Sequence, residues 1–491
     1  MILGVSYGFH DAGVTLIDGN EILFAGHAER YSKNKHDAKL NKAIFQEAFR
    51  YGEPNRIIYY ENPWNKKLRQ AFAGQWQDAL QWPSVKKELQ HLTGLNNCPI
   101  YYADHHEAHA AAGFATSPFE SAAVVVVDAI GEWDTMSIWQ AYMEGDSVQY
   151  EKLWSNTYPH SIGLMYSAFT QRLGLRPLDE EYILMGMSAY GDGSLLSSTI
   201  KSDLISDLRQ LKFSKNLHLG IEKDYLKDSK DVDIAAGVQI VTEQLLDTIF
   251  HKAWDITGER NVVFMGGVAL NCVANRNIGK YFENIWVMPN PGDAGSSLGA
   301  AAVLDGGKLN WKHSYLGTDI PGEYPVRRLV NYLKKNKIAG VASGRAEFGP
   351  RALGHRSLLA DPRGAEIKDA VNKIKKRQLF RPFAPAILAE HVNDYFKMPM
   401  SWHDSPYMQV VARCKKPTEF PAIVHVDGTS RVQTVSKDDS PGFRQLLETW
   451  YKETGCPMLL NTSLNIRGEP MVDDRKDADR FEEKYGVKVF S

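Results

Sequence analysis

"SAAVVVVDAIGEWDTMSIWQAYM", residues 121–143, opens with six apolar residues from Ala122 to Val127. The run is short and rich in valine, which predicts a strand buried on both faces. It stops at Asp128 in an acidic turn, and Thr135 to Ala141 predicts a second strand. The start of the chain follows the same plan. "ILGVSYG" (2–8) is a β-rich run ending in glycine, and "GVTLIDGNEILFAG" (13–26) predicts a hairpin turning at Asp18-Gly19-Asn20. Two strand–polar-loop–strand units, beginning at residues 2 and 122, point to a duplicated α/β architecture.

Residues 37–50, 66–92 and 234–258 carry helical patterns, and 194–232 reads as a polar, peripheral stretch. The segment bearing Trp64, Trp76 and Trp82 reads as an insertion on the core fold. "DGGKLNWKHSYLGTDIPGEYP" (305–325) is rich in glycine and proline and reads as a linker. A boundary near residue 320 divides the chain into 1–320 and 321–491. Beyond it a helix is expected at 325–335 and a strand at 338–342.

The chain has 491 residues, 43% hydrophobic and 24% charged, as in soluble globular proteins of two or three domains. A formal net charge of -2 gives no whole-chain attraction to nucleic acid or anionic membrane. Cys98, Cys272, Cys414 and Cys456 form no CxxC pair, so a reducing, cytoplasmic setting is expected. No apolar run approaches the roughly 18 residues of a membrane span, and the first residues do not read as a signal peptide.

"YYADHHEAHAAAGF" (101–114) packs ligand chemistry at the mouth of an apolar helix. His105 and His109 are four apart and share one helix face, as a metal site needs, while His106 lies about 100° around. Asp128 ends a buried strand, where α/β proteins bind ligands. Asp293 lies in "PGDAGSSLGAAAVL" (291–304), whose glycines allow close backbone approach. Either aspartate alone reads equally well as a turn or cap residue. Two imidazoles with carboxylates suit Fe(II), Mn(II) or Zn(II). The glycine turn in "MGGVALN" (265–271) and the one at 291–304 offer N–H groups to phosphate, though neither is a Walker or GxGxxG motif. "GRAEFGPRALGHRS" (344–357) gathers Arg345, Arg351, His355 and Arg356, and "KIKKRQLFRPF" (373–383) adds Lys373, Lys375, Lys376, Arg377 and Arg381. Such blocks suit phosphate or carboxylate recognition, or a solvated basic face.

These stretches, with "HDAG" (10–13), "AERYSKNKHD" (28–37), "RPFAPAIL" (381–388) and "NTSLNIRGEP" (461–470), resemble the O-carbamoyltransferases of nodulation-factor and antibiotic biosynthesis along nearly the whole chain. The resemblance implies an N-terminal domain similar to the ASKHA (actin, sugar kinase, heat-shock) proteins and a C-terminal domain similar to YrdC-like enzymes. It implies that the second domain makes carbamoyl-AMP from carbamoyl phosphate and ATP with Mg, and that the first passes the carbamoyl group to an acceptor hydroxyl. By the same resemblance His105, His109, Asp128 and Asp293 hold iron, and His10 and Lys35 are the acceptor-side catalytic positions. Among these His10 is the candidate general base, because imidazole titrates near neutral pH. Gly266, Gly267, Asn271, Arg345, Lys375, Arg381, Ser463 and Asn465 are the implied cofactor-binding positions. The sequence departs from the family pattern at Ser188-Ala189, where Ala-Pro is usual, and at Leu464, where Phe is common. The chain is short for a biosynthetic member, which weakens any transfer of acceptor identity. A hydroxymethylated pyrimidine in DNA or a nucleotide, threonylcarbamoyl transfer to transfer RNA, and an ATP-binding assembly role stand as alternatives. A homodimer is open.

Overall fold

Both valine- and isoleucine-rich runs form strands, and each becomes the middle strand of a five-stranded sheet. The structure is a computed structural model that describes residues 1–81, 84–378 and 381–491. In the first sheet the order is Glu21–His27, Gly13–Asp18, Ile2–Ser6, Arg56–Tyr59, Ile100–Tyr102. In the second it is Ser147–Thr157, Asp134–Glu144, Ser121–Val127, Asn261–Met265, Asn284–Trp286. In both, the first three strands pair antiparallel and the last two join in parallel. Identical order and direction show the duplication that the repeated strand plan predicts, and with it the ASKHA-like architecture. Val124 to Val127 are fully buried, as a strand covered on both faces requires.

Each copy ends in a helix that packs on the other copy's sheet. His105–Thr116 lies on Ser121–Val127 and Asn261–Met265, and Ser296–Asp305 lies on Ile2–Ser6, Gly13–Asp18 and Arg56–Tyr59. The two helices also cross each other, and small residues make the crossing close. A Cβ at Gly299 would overlap the carbonyl oxygen of Ala108, and one at Gly4 would overlap that of Ser297. The alanine run after His109 is therefore a packing surface, buried without exception from Ala110 to Ala112. Gly299→Ala should destabilise the protein by about 3 kcal/mol or more, at the upper end of overpacking costs, because the obstacle is backbone and cannot turn aside. Thermal unfolding checks this, and an unchanged melting temperature would contradict the crossing.

By contacts the chain divides into two units, Met1–Ala28 with Asp37–Trp311, and Glu29–His36 with Lys312–Ser491. The division at residue 312 falls inside the stretch read as a linker. That stretch contains the strand Tyr315–Ile320, which pairs antiparallel with Gly344–Glu347. Glu29–His36 joins the second unit through Arg30, which donates to the Gly349 carbonyl at 3.1 Å, through the Tyr31–Thr318 hydroxyl pair at 2.8 Å, and through a Lys33–Asp477 ion pair.

The second unit is also α/β, in line with the YrdC-like expectation. Its sheet runs Gln433–Val435, Ala384–Leu388, Met458–Ser463, Arg356–Ala360, Ile338–Ala342, Val489–Phe490. Helices Val326–Asn336 and Pro441–Thr454 bury Leu329, Leu333, Phe443 and Leu447 in its core. The 66–92 stretch forms three helices, Pro63–Phe72, Trp76–Ala79 and Val85–Thr93, and Trp82 lies outside the described residues. Among the described residues no helix is long and apolar enough to cross a membrane.

Candidate functional site

The crossing of the two helices brings their N-termini together, and with them the four residues singled out in the sequence. His105, His109, Asp128 and Asp293 are all buried, and each offers a ligand atom within 4.8 Å of the others. His105 Nε2 lies 3.3 Å from Asp128 Oδ2 and 3.6 Å from Asp293 Oδ1. His109 Nε2 lies 3.4 Å from each of the same two oxygens. Donors about 2.1 Å from a shared ion stand roughly 3.0 to 3.4 Å apart in octahedral or tetrahedral geometry, so these spacings are ligand-like. His106 turns away to Ser137 Oγ, at 2.7 Å.

Backbone groups aim Asp128. Its Oδ1 accepts the Ala129 N–H at 2.8 Å and the Gly267 N–H at 3.2 Å, which leaves Oδ2 for the histidines. Gly266 has φ 89° and backs directly onto Val127, where any side chain would collide. The Gly-Gly turn thus holds the Asp128 carboxylate in place. Asn271 exchanges hydrogen bonds with Gln239 at 3.1 and 3.2 Å and accepts the Ala274 N–H.

The electrostatics fit a cation. Burial opposes the charge on His105, yet the neighbouring carboxylates of Asp128, Glu61 and Asp293 raise its pKa well above the ordinary value. Burial likewise opposes charge on His109, and Asp128 and Asp293 raise it. Burial also opposes charge on Asp128, but both histidines hold it well below the carboxylate range. Both oxygens of Asp293 and both ring nitrogens of His109 are buried without a hydrogen-bond partner. Two carboxylates facing two imidazoles, with orphaned donor atoms, match a site where one divalent ion replaces two protons.

His10, the candidate general base, stands among carboxylates. Burial lowers its pKa, but Asp293, the 3.0 Å contact with Asp11, and Asp128 outweigh it and raise it to about 9. In this arrangement the ring is an imidazolium at neutral pH rather than a free base. Its share of stability is complete below the ordinary histidine pKa and is lost as pH rises through about 9. Loading a dication onto Asp128 and Asp293 should cancel two of the raising charges and bring His10 back toward neutral. NMR titration of the ring with and without metal reads this, and an unmoved pKa would count against the charge account.

The sequence reading missed Glu61 and Glu132. Glu61 lies just beyond the strand Arg56–Tyr59, at its carboxyl end, in the position that drew notice to Asp128. Its Oε2 is 3.7 Å from His105 Nδ1. Its pKa is about 2, because Lys66 and His105 overcome the effect of burial. Glu132 accepts the Asn62 N–H, and burial raises its pKa to about 7.

In the second unit, Lys375, Ser463 and Asn465 meet as anticipated. Lys375 Nζ donates to Ser463 Oγ at 3.0 Å, to Asn465 Oδ1 at 2.6 Å and to the Ser463 carbonyl. Burial depresses its pKa well below the ordinary lysine value, and Arg377, Arg381 and Lys35 add to the effect. Lys35, an expected acceptor-side position, lies in Glu29–His36, a segment that belongs to the second unit.

In the "GRAEFGPRALGHRS" block several side chains bond within the unit. Arg356 is fully buried and donates to the carbonyls of Asp473, Ser343, His355 and Thr318. Glu347 collects the N–H groups of Leu353, His355 and Arg356. Burial lowers the His355 pKa to about 4, so it is neutral. Arg345 donates to the carbonyls of Leu316 and Gly317.

Comparison with known proteins covers both units. A carbamoyltransferase N-terminus model matches residues 1–52 and 58–302, and a carbamoyltransferase C-terminus model matches residues 330–490. An uncharacterised protein of Synechocystis sp. is 33% identical across 98% of this chain and 93% of its own length. That alignment runs over 591 positions against 491 residues here, so the relative carries insertions within the aligned span. Nodulation protein NolNO of Sinorhizobium fredii is 30% identical across 96% of this chain and 76% of its own. The 3'-hydroxymethylcephem-O-carbamoyltransferase of Amycolatopsis lactamdurans is 26% identical across 97% of this chain and 95% of its own. With both halves matched in order and a relative aligned end to end, the chain belongs to the carbamoyltransferase family.

Proposed function

We propose that this carbamoyltransferase is ATP-dependent and divides two half-reactions between its two units. In the second unit carbamoyl phosphate is hydrolysed to carbamate and phosphate. Carbamate oxygen then attacks the α-phosphorus of ATP, giving carbamoyl-AMP and pyrophosphate. In the first unit an acceptor hydroxyl attacks the carbamoyl carbon, AMP leaves, and the hydroxyl proton is released. The observation that carries the reading is the presence of two clusters, each in its own unit, one wholly buried and one built on the buried Lys375. Lys375 with Ser463 and Asn465 offers a cation and amide-binding groups, and His105, His109, Asp128 and Asp293 offer a divalent-ion site.

Within the first unit the four ligands would hold Fe(II), Mn(II) or Zn(II), which supplies positive charge for nucleotide phosphate and the developing negative charge of transfer. Gly267 N–H and Ala129 N–H keep Asp128 oriented. His10, tied to Asp11, is placed to exchange a proton with the acceptor hydroxyl. Within the second unit Lys375, Lys35, Arg377 and Arg381 gather phosphate charge, with Mg accompanying the ATP. The name of the relative that acts on a 3'-hydroxymethylcephem points to a hydroxyl on a small molecule as acceptor.

The test supplies ATP, labelled carbamoyl phosphate and a panel of hydroxyl compounds, including a hydroxymethylcephem, oligosaccharides and hydroxymethyl-pyrimidine DNA. AMP and pyrophosphate release, with a carbamoyl group replacing hydrogen on one acceptor, is the expected result. No release of AMP or pyrophosphate with carbamoyl phosphate present would sink the reading.

A further inference from the structure

We propose that Glu61 is a positioning residue that fixes His105 as a metal ligand, and that Lys66 ties it to the loop bearing His10. This rests on the metal site proposed above. His105 faces two ways. Its Nε2 looks into the ligand cluster, and its Nδ1 is buried with no hydrogen-bond partner other than the nearby Glu61 carboxylate, 3.7 Å away. Metal-bound histidines ordinarily donate their second N–H to a carboxylate or carbonyl, which sets tautomer and ring angle. Glu61 is the carboxylate in place for that.

Glu61 is itself held from the other side. Its Oε1 accepts from Lys66 Nζ at 2.6 Å and lies 2.9 Å from the Tyr59 hydroxyl. Lys66 Nζ also reaches the Gly8 carbonyl at 3.4 Å, two residues before His10. The Tyr59 hydroxyl lies 2.7 Å from the Tyr7 carbonyl in the same loop. One oxygen of Glu61 thus meets Lys66, whose ammonium also reaches Gly8, while the other faces His105; the single Tyr59 hydroxyl proton serves either Glu61 or the Tyr7 carbonyl. The carboxylate has acceptors at both ends, as this arrangement requires.

An amide cannot do the same. Glu61→Gln would turn its oxygen toward either Lys66 or His105 Nδ1–H and its NH₂ toward the other donor. Removing the ammonium should relieve the conflict, because the amide oxygen is then free to serve His105. Glu61→Asp keeps a charge for Lys66 but withdraws the carboxylate from His105 by one methylene.

Full-length wild type and variants are titrated anaerobically with Fe(II), and separately with Zn(II), against a chromogenic chelator, with melting temperatures taken alongside. Glu61→Gln should bind metal about 10–100-fold more weakly. Glu61→Asp should also lose affinity, and Glu61→Gln with Lys66→Met should regain part of what Glu61→Gln loses. A metal affinity within about twofold of wild type in folded Glu61→Gln would overturn the proposal, by comparison with the 10–100-fold cost above. So would a fully retained affinity in Glu61→Asp, or a double variant no better than Glu61→Gln. Failure of the wild type itself to bind either metal would instead overturn the metal site, and the role of Glu61 with it.

Discussion

Under the proposed two-step reaction, Lys375→Met should lower carbamoyl-AMP formation by about 100- to 1,000-fold, the scale of removing one preorganised donor from a reacting group. The reason lies in what surrounds the ammonium. Burial disfavours its charge, and Arg377, Arg381 and Lys35 repel it, so its pKa is depressed in the absence of an anion. A phosphate arriving there is the missing counter-charge, and its binding restores the protonated lysine with uptake of a proton. Methionine matches the length and removes the charge, so phosphate binding and its proton uptake both fall. Stability should change little, since the lost hydrogen bonds to Ser463 and Asn465 are offset by relief of repulsion. Pyrophosphate release measured at several pH values, with calorimetry in two buffers, reads both effects. Normal pyrophosphate release by a folded Lys375→Met protein would remove Lys375 from the phosphate site.

His109→Ala acts on the other unit. It removes one of four ligand side chains, so metal affinity should fall by more than the roughly 10–100-fold typical of an outer-shell change. Acceptor carbamoylation should be lost while carbamoyl-AMP formation persists. Elemental analysis after gel filtration and separate assays of the two half-reactions check this. Retained metal at wild-type stoichiometry would exclude His109 from the ligand set. Equal loss of both half-reactions would contradict the division between units.

How far the residues themselves foretold these sites varies from position to position. His105 and His109 were legible because helical spacing alone puts i and i+4 on one face. Asp128 was legible because a buried strand must end somewhere polar. Glu61 follows the carboxyl end of Arg56–Tyr59, the counterpart of Asn261–Met265 and not of the strand before Asp128, and it drew no notice. Its strand is short, and nothing local says which carboxylate will face His105. The basic block at 344–357 is hard to read for a related reason. Arginines that satisfy buried carbonyls look the same in sequence as arginines that bind phosphate, and only the partners of Arg356 tell them apart.

The sequence by itself determined the local facts: a repeated strand plan, a ligand pair on one helix face, and glycines where backbones must touch. These follow from periodicity and backbone sterics, which act over a few residues. Tertiary structure alone decided what lies together across long separations. The close helix crossing at Gly299 and Ala108 sets Asp293 against His105 and His109, nearly two hundred residues earlier in the chain. Three contacts of residues 30–33 place the short segment that carries Lys35 in the second unit, far in sequence from the rest of it. Such pairings depend on how faces of different elements pack, and packing is a property of the folded chain that no single stretch encodes.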